Sequence, residues 1–204
     1  SHFENIDFPF KANYLYVDKI RMHYIDENAD SHKIIVLLHG LPTWGYMYRK
    51  MIPILSKAGY RVIVPDLIGF GKSDKPKDKK IYSYTKNEKW LSEFLFEKLK
   101  LSSVNLLAHD WGGLIGLRMV ALYPDKFSSV IATNTAFPRM EGINYIFSIW
   151  RSVSSIISII PYSKLMNLGL RNKVHSDILK GYDAPFPSQK YKIAPRVFPK
   201  LVPI

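Results

Sequence analysis

The chain has 204 residues, 47% of them hydrophobic and 14% aromatic, and it contains no cysteine. That is enough for one domain with a substantial core, and it excludes disulfide scaffolds, thiolate metal sites and thiol catalysis. The formal charge of +12 raises nucleic acid or an anionic membrane as partners. The distribution points elsewhere: Lys11, Lys33, Lys57, Lys100, Lys126 and Lys164 are spread singly, and the one dense stretch, Lys72 to Lys80, is interrupted by Asp74, Pro76 and Asp78. We read it as a solvated surface, with no nucleic-acid or membrane partner. A membrane span needs roughly 18 apolar residues. The most hydrophobic stretch, Ile143 to Pro161, is broken by Ser148, Arg151, Ser152, Ser154, Ser155 and Ser158. Ser1 to Phe10 carry acids and Pro rather than a secretory signal, so a cytoplasmic location is expected.

In chain order, Tyr14–Val17 and Arg21–Asp26 predict two antiparallel lead-in strands with a turn at Asp18-Lys19. Three short apolar runs, Ile34–Leu38, Arg61–Pro65 and Val104–Ala108, read as buried strands, and Ser129–Thr133 as a fourth. Helical patterns alternate with them at 44–57, 84–100 and 113–123. The fold class is therefore α/β, with a mostly parallel sheet covered by helices on both faces. After Thr135 the pattern turns helical and Ser-rich, and from Gly181 onward five prolines follow. We expect a core unit over 1–136 and a helical cap with its return segment over 137–204. The cap would lie over the carboxyl ends of the strands, where open α/β sheets place their sites.

The sequence Ala108-His109-Asp110-Trp111-Gly112-Gly113 sits at a strand end and opens a helix. Small residues flank a central Asp110, the spacing of a nucleophile elbow, in which strand and helix backbones nearly touch. A carboxylate there can attack a saturated carbon and form an ester. The plain structural alternative is an Asp that caps the following helix. A second signal is His39-Gly40-Leu41-Pro42-Thr43-Trp44 after the first buried strand. The backbone N–H groups of Leu41 and Trp111 would make an oxyanion hole; by itself the loop could be an ordinary tight turn. The Gly-rich turn Asp66 to Asp74 lacks the spacing of a phosphate loop.

Together, HGLPTWGYMYRKMIP, PDLIGFGKSDKP and HDWGG resemble the α/β-hydrolase family, and in particular the haloalkane dehalogenases; the likeness continues through FSIWR at Trp150 and YDAPFPSQKYKIAPRVFPKLV from Tyr182. The resemblance implies that Asp110 is the nucleophile and that Trp111 and Trp150 bind the leaving halide through their indole N–H groups. An indole N–H donates without competing as a base, on a ring that keeps water away. It also implies a small apolar halogenated substrate, no cofactor or metal, and a monomer. Leu41 replaces the donor side chain that some relatives carry at its position, and Asn134 stands where others hold a catalytic acid. None of the six histidines falls where this family keeps its base, so the catalytic His and acid are expected outside the chain. An epoxide hydrolase, with Tyr145, Tyr162, Tyr182 or Tyr191 as proton donor, and a non-catalytic truncated hydrolase-like protein are the alternatives.

Overall fold

In the computed structural model, which describes residues 2–4, 6–135, 161–164 and 174–202, six strands form one sheet in the order β1-β2-β4-β3-β5-β6. Strands β1 (Asn13–Val17) and β2 (Ile20–Glu27) form the antiparallel lead-in. Their turn residues, Asp18 and Lys19, take positive φ values of 45° and 64°, a conformation Asp tolerates because its short side chain can bond locally. Strands β3 (Ile34–Leu38), β4 (Arg61–Pro65), β5 (Val104–His109) and β6 (Phe127–Thr133) run parallel, and β2 joins them antiparallel to β4.

Strand β3 shows why the pattern read as a continuous apolar run. Val36 and Leu38 enter one buried cluster with Trp90, Phe94, Leu106 and Ile115, while Ile35 and Leu37 enter a second with Trp44, Ile52, Val62 and Val64. Side chains alternate across a strand, so both faces are filled. The helices are α1 (Met51–Lys57), α2 (Tyr84–Ser92), α3 (Trp111–Leu122), α4 (Ser176–Asp183) and α5 (Ile193–Leu201).

Four expectations change. The helix expected over 44–57 is divided: a 3-10 turn at Gly45–Tyr48 precedes α1. The helix expected over 84–100 widens into a π-helical stretch at Glu93–Lys98. Strand β6, read as buried, exposes Val130 at 36% and Ile131 at 51%. It is the last strand of the sheet, so among the described residues no further strand lies beyond it. The basic stretch is also less solvated than expected, because the Lys75 ammonium is drawn in to donate to the Gly71 and Ser73 carbonyls at 2.6 and 3.1 Å. Burial there lowers its pKa to about 8.

The return segment is tied to the core. Trp44 Nε1 donates to the Gly181 carbonyl at 2.8 Å, and Tyr46 meets Tyr182 edge-on at 5.1 Å. Helix α5 buries Ala194, Pro195, Phe198 and Pro199. No helix among the described residues is long and apolar enough to cross a membrane.

Candidate active site

Strand β5 delivers Asp110 to the start of α3 with φ 50° and ψ −119°. A non-glycine residue held there is strained and must be fixed by its surroundings. The fixing bonds are backbone ones: Asp110 N donates to Thr133 O at 3.2 Å, and the Asp110 carbonyl accepts from Gly113 N, Leu114 N and Thr135 Oγ1 at 2.9, 3.0 and 2.9 Å. Its side chain makes no capping bond. The helix-cap alternative, a side chain bonded to the N–H groups of the second or third helical residue, therefore fails. Gly112 permits the tight passage, since a Cβ there would stand 2.5 Å from the Leu38 and His39 carbonyl oxygens.

The carboxyl is met by the loop after β3. Leu41 N donates to Asp110 Oδ2 at 2.8 Å. Gly40 admits the carboxyl: a Cβ on it would lie 2.5 Å from Asp110 Cβ and Oδ2. Burial raises the Asp110 pKa, while the Trp111 and Leu41 backbone N–H groups and the fields of His109 and His39 oppose the rise. The result is a largely dehydrated carboxyl group met by backbone donors, Leu41 N on Oδ2 among them. Such a group is reactive toward an apolar electrophile because little hydration must be shed.

Trp111 is 1% exposed, and its ring lies 4.8 Å from Phe198 and 6.5 Å from Tyr84. From Phe198 the aromatic wall continues to Phe70 at 4.8 Å, then Phe186 at 6.3 Å and Tyr162 at 5.0 Å. Phe198 and Phe186 come from the return segment, and sequence reasoning missed them; the amphipathic spacing of Ala194 and Phe198 was the available signal. Asp110, Leu41 and Trp111 are brought together. Trp150 and Tyr145 lie outside the described residues. Asn134 is exposed at φ 46° just beyond β6.

All six histidines are described, and none hydrogen-bonds the Asp110 carboxyl. His23 Nδ1 pairs with Asp66 Oδ2 at 2.7 Å. His39 is buried, with Nδ1 on the Gly40 carbonyl at 3.0 Å and Nε2 accepting from Leu67 N at 2.9 Å. His175 caps α4, accepting from Asp177 N at 3.4 Å. The buried Nδ1 of His109 has no hydrogen-bond partner among the described residues. Nor is there a group of three or more His, Cys, Asp or Glu among those residues that could hold a metal.

Comparison with known proteins gives the family. The profile of the alpha/beta hydrolase fold matches residues 33–152. Haloalkane dehalogenase of Mycobacterium marinum is 43% identical over 211 residues, spanning 100% of this chain and 71% of the relative. The chain belongs to the haloalkane dehalogenase family of α/β hydrolases. The haloalkane dehalogenase of Mycolicibacterium paratuberculosis is 44% identical over 210 residues, covering 100% of this chain and 69% of its own. Among solved structures, the tetrameric haloalkane dehalogenase DpaA from Paraglaciecola agarilytica NO2 superposes with a TM-score of 0.92 at 36% identity, over 99% of this chain and 69% of that one. Within that family, this chain presents the buried turn at Asp110, the Leu41 N–H facing its carboxyl and the aromatic wall beside Trp111.

Proposed function

We propose that the protein is a haloalkane dehalogenase that cleaves a carbon–halogen bond through an aspartyl-alkyl ester on Asp110. The observation that carries this reading is the strained, buried Asp110 with Oδ2 held by Leu41 N; on this reading its other oxygen attacks. In the reaction the free oxygen's lone pair forms a C–O bond as the C–X bond breaks, and halide leaves with the bonding pair. The Trp111 and Trp150 indole N–H groups would receive the halide, while the Leu41 and Trp111 backbone N–H groups hold the remaining carboxyl oxygen. The substrate is a small halogenated alkane. Water must then attack the ester with a base in hydrogen-bond reach, and none of the six imidazoles bonds the Asp110 carboxyl. Residues 1–204 alone would therefore take up one alkyl group without turning over. Incubation with a 1-bromoalkane tests both parts: one equivalent of bromide and a matching mass increase on the Asp110 peptide are expected, and multiple turnovers or an unmodified Asp110 would refute them.

Epoxide hydrolysis is kept as a second reading on one observation. The Tyr162 hydroxyl is buried with no hydrogen-bond partner among the described residues, and burial raises its pKa. Such a phenol could protonate an opening epoxide oxygen. Styrene oxide consumption by wild type, lost in Tyr162→Phe, would favour it. The division into a core over 1–136 and a cap with return segment over 137–204, and the cytoplasmic location, belong to the same proposal. DpaA is a tetramer, so we propose self-association in place of the monomer expected above, to be read by analytical ultracentrifugation.

A further inference from the structure

Resting on the reading of Asp110 as nucleophile, we infer that Thr43 is a positioning residue, aided by His39, that aims the Leu41 N–H at the Asp110 carboxyl by holding the opposite end of the same peptide group. The Gly40–Leu41 peptide is trans, so its carbonyl and its N–H point in opposite directions. Three donors converge on that carbonyl: Thr43 N at 2.9 Å, Thr43 Oγ1 at 2.9 Å and His39 Nδ1 at 3.0 Å. The N–H across the plane then lies 2.8 Å from Asp110 Oδ2. A tight turn needs only the Thr43 backbone donor; the hydroxyl and the imidazole over-determine the plane. Polarising the carbonyl also strengthens the N–H as a donor, because hydrogen bonds in a chain reinforce one another.

His39 is fixed in one tautomer. Its Nε2 accepts from Leu67 N and its Nδ1–H donates to Gly40 O, while burial lowers its pKa and keeps the ring neutral. The ring also meets Phe70 edge-on at 5.6 Å. The arrangement therefore links the loop after β4 to the donor that faces the nucleophile. Thr43 is itself 7% exposed, and the other acceptor within reach of its hydroxyl is Met47 Sδ at 3.3 Å, a weak one.

The test uses the 204-residue chain, in which the alkyl ester is expected to persist. The second-order rate of Asp110 alkylation by 1-bromobutane, read by mass spectrometry across pH, is compared for wild type, Thr43→Ser and Thr43→Val. Removing an oxyanion donor outright costs about 10²- to 10³-fold, so a mis-aimed one should cost about tenfold. Thr43→Val should react about tenfold more slowly with its rate–pH profile displaced upward, because a weaker Leu41 donor leaves the burial of Asp110 less opposed. Thr43→Ser should restore both. The titratable neighbours of Asp110, His39 and His109, are the same in all three proteins. Wild-type rate and profile in a folded Thr43→Val would overturn the inference.

A second measurement needs no reaction and no variant. In labelled wild-type protein the Leu41 amide resonance should follow the titration of Asp110 and resist hydrogen exchange; a freely exchanging amide would overturn the inference. Failure of the wild type to take up any alkyl group while the Leu41 amide follows Asp110 would overturn the dehalogenase reading and leave the aimed donor supported.

Discussion

Asp66 and Asp110 each follow a parallel strand by one residue, and the fold treats them oppositely. The Asp66 side chain is fully buried and saturated: Oδ1 accepts from Gly45 N at 2.8 Å, and Oδ2 accepts from His23 Nδ1 at 2.7 Å and Lys72 N at 2.8 Å. Burial by itself would raise its pKa; the field and hydrogen bond of His23, the field of His39 and the Lys72 N–H outweigh it and bring the pKa down. Asp110 is also largely buried but receives only the Leu41 and Trp111 backbone donors, and there burial prevails. Donor count, not depth, separates a carboxylate that holds a loop from one free to react.

Replacing each in turn should break the contrast most sharply. Asp110→Asn is expected to lower ester formation by at least about 10³-fold, since an amide oxygen is a poor nucleophile. Its stability at neutral pH should be unchanged or higher by up to about 1 kcal/mol, because a strained, dehydrated charge is removed. Asp66→Asn should instead lose about 3 kcal/mol by leaving buried partners of the carboxylate uncompensated. Mass spectrometry and urea unfolding of both variants read the two effects.

Glycine substitutions test the same division at the backbone. Gly40→Ala should push against the Asp110 carboxyl and slow alkylation by about 100-fold, the scale of a 1 Å displacement of reacting groups. Gly71→Ala meets the Asp66 carboxylate at a φ of +47° and should cost about 2 kcal/mol of stability, read by the urea midpoint.

The two carboxyl groups also give stability opposite pH dependences. The lowered pKa of Asp66 adds stability above its unfolded value of about 3.9, and this is lost as pH falls through the folded pKa. The raised pKa of Asp110 works against the fold as pH climbs from the unfolded value through the folded one. The stability gap between wild type and Asp66→Asn should therefore close in acid, while any gain in Asp110→Asn should appear only above that window. Urea midpoints from about pH 2, the folded pKa of Asp66, up to neutral pH would check both.

The smallest expected effect concerns the leaving group. Trp150→Phe keeps most of the ring and removes one N–H, worth about 1 kcal/mol or a fivefold weaker bromide affinity. Unaltered quenching of tryptophan fluorescence by bromide would remove Trp150 from the halide site.

Much of this was written locally. The apolar runs, the helix between each pair of parallel strands and the small residues around Asp110 settle the α/β class and the elbow, because alternation and close backbone approach are short-range demands. The loop after β3 was legible as a turn that could bring the Leu41 N–H to Asp110, and the two meet at 2.8 Å. Partners distant in the chain were not. His23 lies 43 positions from Asp66, and nothing around His23 in sequence announces that pairing. The exposure of β6 likewise depends on which strands flank it, not on its own apolar composition. Phe186 and Phe198 reach the wall next to Trp111 because the return segment packs back through Trp44 and Gly181. Asp66 and Asp110 are the clearest case: both were visible as acids at strand ends, and the partners that tertiary packing aims at each carboxyl decided which one has its pKa lowered and which has it raised.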